Sequence, residues 1–158
     1  MIAKEKLNIL WSLEQTAEKY ADRVAVSDVN QELTWKELVK KAQVIGAELS
    51  EKVQPGNPVP VLLEKSSETL AVMLGIVYAG CFYVLMDTKQ PASRLQQILG
   101  ILDSDVIVTS EKYLKDLEKL EFKGKVLMAP DLAAEQENEA VLNEIREQAL
   151  DVDPMPVL

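Results

Sequence analysis

Apolar positions along this chain switch repeatedly between two spacings. From Leu7 through Leu10, Trp11, Leu13, Ala17 and Tyr20 they fall three or four apart around the polar pair Glu14-Gln15, which predicts an amphipathic helix. Val24 to Asp28 then alternates as a strand would. Asn30-Gln31 reads as a short turn and Glu32 to Thr34 as the returning strand. Thr34 with Glu37 three residues later is a capping box, so a second helix is entered there. Its apolar stripe is Leu38, Ala42, Ile45 and Leu49, and Gln54-Pro55-Gly56-Asn57-Pro58 ends the unit with a strong turn signal.

Beyond that turn, short apolar runs alternate with helical stretches. Val59–Leu63, Cys81–Met86, Val106–Thr109 and Lys125–Met128 read as strands, the second as a buried one. Ser66 caps a helix that reaches Tyr78 and stops at Gly80. Pro91 falls in the first turn of a helix whose face is Leu95, Ile98, Leu99 and Leu102. Ser110 caps another with Leu114, Leu117 and Leu120 on one side. Glu135 to Leu150 forms a charged helix with the narrow stripe Leu142, Ile145 and Ala149. Continuous apolar strands, each followed by a helix, imply an α/β fold: a mostly parallel sheet with helices on both faces. In such sheets ligands sit outside the carboxyl ends of the strands.

Composition narrows the function more than the fold. The chain has 158 residues, enough for one domain or subdomain, and Lys plus Arg number 17 against 26 Asp plus Glu, a net charge of −9. So acidic a chain repels phosphate backbones, and no aromatic stripe is interleaved with basic residues; nucleic-acid binding has no support. There is no histidine, which removes histidine bases, Ser-His triads and histidine metal ligands. One cysteine, Cys81, permits no internal disulfide. Met1 to Leu7 shows no apolar run or cleavage site, so a reduced, cytoplasmic setting is expected. Leu70 to Met86 lacks charge but changes midway from helix-like to strand-like character, so it reads as a buried helix–turn–strand and not a membrane span.

Chemistry-bearing residues are sparse. None of the six glycines forms a Gly-x-Gly-x-x-Gly element, and Gly124-Lys125 lacks the upstream glycine of a phosphate loop. Cys81, among Phe82, Tyr83 and Val84, reads as a small buried hydrophobe, with no basic neighbour to activate it. Asp87 lies at the carboxyl end of a strand; its expected role is to fasten the turn by pairing with Arg94 or with backbone amides. Arg94 reads as a salt-bridge or capping partner. Asp103 and Asp105 around Ser104 read as a solvated loop, and Glu135, Glu137 and Glu139 as a solvated helix start. Trp11 and Trp35 fit helix packing.

Two segments resemble a known family. Leu33-Thr34-Trp35-Lys36-Glu37-Leu38 resembles the first core motif of adenylate-forming enzymes, Leu-Thr/Ser-Tyr-x-Glu-Leu. Tyr78-Ala79-Gly80-Cys81-Phe82-Tyr83-Val84-Leu85-Met86-Asp87, followed by Pro91 and Arg94-Leu95, resembles their second, Lys-Ala-Gly-x-Ala-Tyr-Val-Pro-Leu-Asp-Pro and Tyr-Pro-x-x-Arg-Leu. Between them Val53 to Asn57 and Val61 to Ser66 stand where the family has a Gly-Val-x-x-Gly-Asp turn and a strand ending near serine. The likeness covers about residues 10 to 110 and is greatest for the amino-acid-activating branch: the adenylation domains of nonribosomal peptide synthetases and the D-alanine-activating ligases. Tyr78 stands for the usual Lys, Phe82 for a small residue, and Leu85 and Thr88 for two prolines.

The resemblance implies the N-terminal part of a large α/β domain, ending ahead of the phosphate-binding loop. It implies a parent that uses ATP and magnesium to convert an amino acid, or another carboxylic acid, to an acyl-adenylate and passes it to the thiol of a carrier protein or of coenzyme A. No catalytic, cofactor-binding or metal-binding residue carries over. Thr34, Glu37, Gly80, Tyr83, Asp87 and Arg94 carry over as structural motif positions only. The chain alone is expected to bind no cofactor and to be inactive, its partner being the remainder of the enzyme. Two other readings stay open: a piece of an acyl-CoA synthetase, and a non-catalytic α/β module that forms a homodimer through exposed sheet.

Overall fold

A computed structural model describes residues 8–134 and 139–151. Asn8 starts helix α1 (Ile9–Lys19), its side-chain oxygen accepting from the Leu10 amide at 2.9 Å. The expected start at Leu7 lies outside the described residues. Strands β1 (Val24–Ser27) and β2 (Glu32–Thr34) pair antiparallel as a two-stranded sheet of their own. The capping box then opens α2 (Trp35–Ser50) as expected. Thr34 Oγ1 accepts from the Glu37 amide at 3.3 Å, and the Glu37 carboxylate accepts from the Thr34 amide at 2.8 Å. That donation holds the Glu37 carboxyl below its ordinary pKa.

The main sheet has four parallel strands in the order β4-β3-β5-β6, with β3 at Pro58–Leu62, β4 at Phe82–Leu85, β5 at Val106–Thr109 and β6 at Lys125–Met128. Helices α3 (Ser67–Tyr78), α4 (Ala92–Leu102), α5 (Leu114–Lys119), α6 (Ala129–Leu132) and α7 (Glu139–Asp151) follow in chain order. Strand alternation divides the core in two. Val59, Val61, Val106, Val108 and Leu127 face the layer built on α1, α2, α3, α6 and α7. Leu62 and Ile107 face the other, with Leu95 and Leu99 of α4 and Leu117 of α5. The α/β expectation therefore holds, with helices on both faces.

The tightest joint is between α2 and α3, where two helices meet through glycines. A Cβ built on Gly46 would lie 2.6 Å from Tyr78 Cβ, and one on Gly75 would lie 2.5 Å from Ile45 Cγ2. Gly80 ends α3 at φ +72, a backbone conformation that side chains resist. Leu70 to Met86 is thus a helix, a turn and a strand, and no described helix is long and apolar enough to cross a membrane.

Several details depart from the sequence reading. The strand after Gly80 is not buried: β4 is a sheet edge, and Tyr83 and Leu85 are 37% and 52% exposed. Ser110 makes no side-chain cap. Its carbonyl instead accepts from the Tyr113 amide at 3.0 Å, closing a single 3-10 turn (Glu111–Tyr113) ahead of α5. Pro91 is the residue just before α4, where its missing N–H costs nothing. Helix α6 was not foreseen; it is four residues long and too short to show a period. The charged helix is described from Glu139, so Glu135 and Glu137 lie outside the described residues.

Candidate functional site

The chain leaves β3 toward β4 on one side and returns to β5 on the other. The carboxyl ends of β3 and β5 therefore flank a topological switch point, the usual place for a ligand in such sheets. Two loops meet there, one running from β3 to α3 and one from β5 to the 3-10 turn. Their charged residues close on each other: the Lys112 ammonium pairs with the Glu64 carboxylate across the crevice. Their hydrogen bond raises the Lys112 pKa.

The N-terminus of α3 opens at the same edge, and helix N-termini attract anions. Here the anion is the chain's own. Asp28, in the β1–β2 turn, accepts at Oδ2 from the Ser67 amide and hydroxyl, each at 2.7 Å. Its Oδ1 accepts from the amides of Asn30 at 2.7 Å and Gln31 at 3.0 Å. These donors, the Ser67 amide foremost, hold the Asp28 carboxyl far below the usual carboxylate range. Ser66 Oγ caps the Thr69 amide at 3.1 Å. The donor set does not suit a nucleotide triphosphate with magnesium, because the Ser67 amide at the helix terminus and the Lys112 ammonium both already hold carboxylates. Among the described residues no group of three or more His, Cys, Asp or Glu could hold a metal ion.

The structure places the motif residues in two separate structural joints. Thr34 and Glu37 form the α2 cap. Gly80, Tyr83, Asp87 and Arg94 lie along the path from α3 through β4 to α4. Asp87 fastens its turn through the backbone alternative, its carboxylate accepting from the Lys89 amide at 2.9 Å and its carbonyl from the Gln90 amide at 3.0 Å. The expected Asp87–Arg94 pair does not form: Arg94 is exposed and makes no ion pair among the described residues. Cys81 is 2% exposed and its thiol points to the Gln54 carbonyl at 3.4 Å; burial pushes its pKa up, toward the unreactive form. Asp103 and Asp105 are exposed, and Ser104 Oγ bonds the Pro58 carbonyl at 2.8 Å, tying the loop to β3. Trp35 packs half-buried against the larger core.

Sequence reasoning missed two polar joints. One is Asp28 with Ser67. The other centres on Glu14, whose side chain is 11% exposed. Glu14 Oε1 accepts from the Tyr78 hydroxyl at 2.9 Å and from Gln43 Nε2 at 3.4 Å, and Oε2 accepts from Arg146 Nε at 2.7 Å. Burial first, then the Glu14 charge, pushes the Tyr78 hydroxyl well above its ordinary pKa. Beside this joint a shallow cleft of about 310 Å³ lies between α1, α2 and α7. Both joints link residues far apart in sequence, and neither leaves a local pattern.

Comparison with known proteins follows the motif reading. Residues 13–156 match the family described as AMP-binding enzyme. Tyrocidine synthase 1 of Brevibacillus parabrevis is 33% identical over 116 residues, 73% of this chain. The nonribosomal peptide synthetase FmoA3, in its AMPPNP-bound form, matches at TM-score 0.75 and 28% identity over 83% of this chain and 14% of its own. The O-succinylbenzoate coenzyme A synthetase MenE of Bacillus subtilis, in complex with ATP and magnesium ion, shares the fold at TM-score 0.71 and 21% identity, over 80% of this chain and 34% of its own. The chain spans 11% of the length of tyrocidine synthase 1.

Proposed function

Because this chain belongs to the AMP-binding enzyme family, we propose that it works as one subdomain of a ligase that activates an amino acid, with ATP and magnesium, as an acyl-adenylate and passes it to a thiol. Its part is scaffolding. The observation that carries this reading is the use made of the two matched segments. One is a helix cap (Thr34, Glu37), the other a helix–turn–strand joint (Gly80 to Asp87), and the polar groups of Thr34, Glu37 and Asp87 are spent on holding these joints together. The likeness to nonribosomal peptide synthetases, FmoA3 among them, supports an amino acid over other carboxylic acids. Reaction at phosphorus depends on charge neutralisation and positioning. The groups that supply them come from the rest of the enzyme, and the residues here hold the fold on which those groups are mounted.

Amino-acid-dependent ATP–pyrophosphate exchange tests both halves. The 158-residue chain alone is expected to show none; exchange above background would overturn the scaffold role. A chimera carrying this chain in place of the matching segment of tyrocidine synthase 1 is expected to retain exchange. A folded chimera without exchange would overturn the assignment to an amino-acid-activating ligase.

A further inference from the structure

Helix α7 is held to the molecule by a thinner apolar stripe than α2 or α3. Only Leu142, Ile145 and Ala149 of its thirteen residues are buried. Its last turn carries Asp151 and no basic residue, so its C-terminus opposes the helix dipole. By contrast α2 and α3 touch backbone to backbone at Gly46 and Gly75. What adds to the thin apolar stripe is polar. Arg146, the one cation on α7, donates to Glu14 of α1 at 2.7 Å, and Asn8 Nδ2 donates to the Ala149 carbonyl at 2.8 Å. The Arg146 side chain is 45% exposed, so water and salt reach this pair. Glu14 keeps two further donors, Tyr78 and Gln43, when Arg146 leaves. The carboxylate is therefore still satisfied with α7 detached.

We infer that α7 is a reversible strap, which undocks as a unit from α1, α2 and α3 while the sheet and those helices stay folded, with Arg146 and Glu14 as its clasp. A short stripe, an unfavourable terminus and a clasp whose inner half stays satisfied are what a low-cost local opening needs. The undocked form opens one wall of the Glu14 cleft and bares the core under Ile145 and Ala149.

Native-state hydrogen exchange on the 158-residue chain, read by mass spectrometry, tests this. Amides of 139–151 are expected to exchange about a hundredfold faster than those of 67–78, with little dependence on denaturant. Exchange of both segments at one rate, with one steep denaturant dependence, would overturn the strap. Arg146→Gln is expected to speed exchange in 139–151 by about three- to tenfold and leave 67–78 unchanged. Arg146→Lys is expected to restore part of the difference. Added salt is expected to act on the native chain as Arg146→Gln does, and to have no effect on that variant. Equal acceleration of both segments, or none in 139–151, would overturn the role of the clasp.

Discussion

Glycine residues in this chain do opposite things according to what surrounds them. Gly75 sits where any Cβ would enter Ile45, 2.5 Å from its Cγ2, whereas Gly100, exposed on α4, has nothing within 4 Å of a Cβ. Gly75→Ala is therefore expected to destabilise by about 1–3 kcal/mol through overpacking. Gly100→Ala is expected to stabilise by about 0.5–1 kcal/mol through helix propensity. Urea midpoints measure both, and a Gly75→Ala protein as stable as the native one would mean that α2 and α3 are not in backbone contact. Asp28 makes a different residue-scale prediction. Its folded pKa lies below the unfolded value of about 3.9, so between the two the unfolded chain binds the proton that the folded chain does not. The stabilisation is thus complete above the unfolded pKa and is lost as pH falls toward the folded one. Asp28→Asn is expected to lower the thermal midpoint at pH 7, and the gap to the native protein is expected to shrink as pH drops below about 4. A gap that stays constant across that range would show that the carboxylate is not the stabilising group.

At the scale of elements, β4 shows how an edge strand differs from its neighbours. The amides of Phe82 and Met86 donate inward, to the carbonyls of Asn57 at 3.3 Å and Val61 at 2.9 Å. Alternation sends the Val84 amide inward as well, and those of Tyr83 and Leu85 outward. Tyr83→Pro is therefore expected to be tolerated, while Val84→Pro removes a ladder bond and costs about 1–3 kcal/mol more. Chemical denaturation of the two variants checks the order, and equal losses would mean that the register is wrong. The sequence was legible wherever one element's signal lay within itself. The cap at Thr34 and Glu37, the stripe from Leu38 to Leu49, the stop at Gly80 and the four parallel strands were all local patterns. It was not legible where position in the sheet decides. Cys81–Met86 is apolar enough to be central, yet the strand order leaves Leu85 half in water. Nor could a local reading pair Asp28 with Ser67 or Glu14 with Arg146, since chain topology alone brings them together. For Asp87 the sequence left two partners open, Arg94 or backbone amides, and the nearer one, the Lys89 amide, holds the carboxylate.

For the whole molecule, the site and the scaffold turn out to share one region. The switch point between β3 and β5 is where a parallel sheet offers a ligand its best purchase, and in this chain the Glu64–Lys112 pair and Asp28 occupy it. Those groups join the hairpin, the β3 loop and the β5 loop into one rim, which suits a subdomain that presents a fixed surface to the rest of a larger enzyme. The strand order has a further consequence, in time and not in space. β3 is the second strand of the finished sheet, but its partner on the inner side, β5, ends only at Thr109. Until the ribosome has delivered that residue, β3 can be matched along one edge only, and Val61 and Leu62 wait with an open flank. A nascent chain paused before Thr109 therefore displays a strand whose Val59, Val61 and Leu62 are buried in the finished fold as bait for other unfinished chains, and that interval is when a holding chaperone has most to protect.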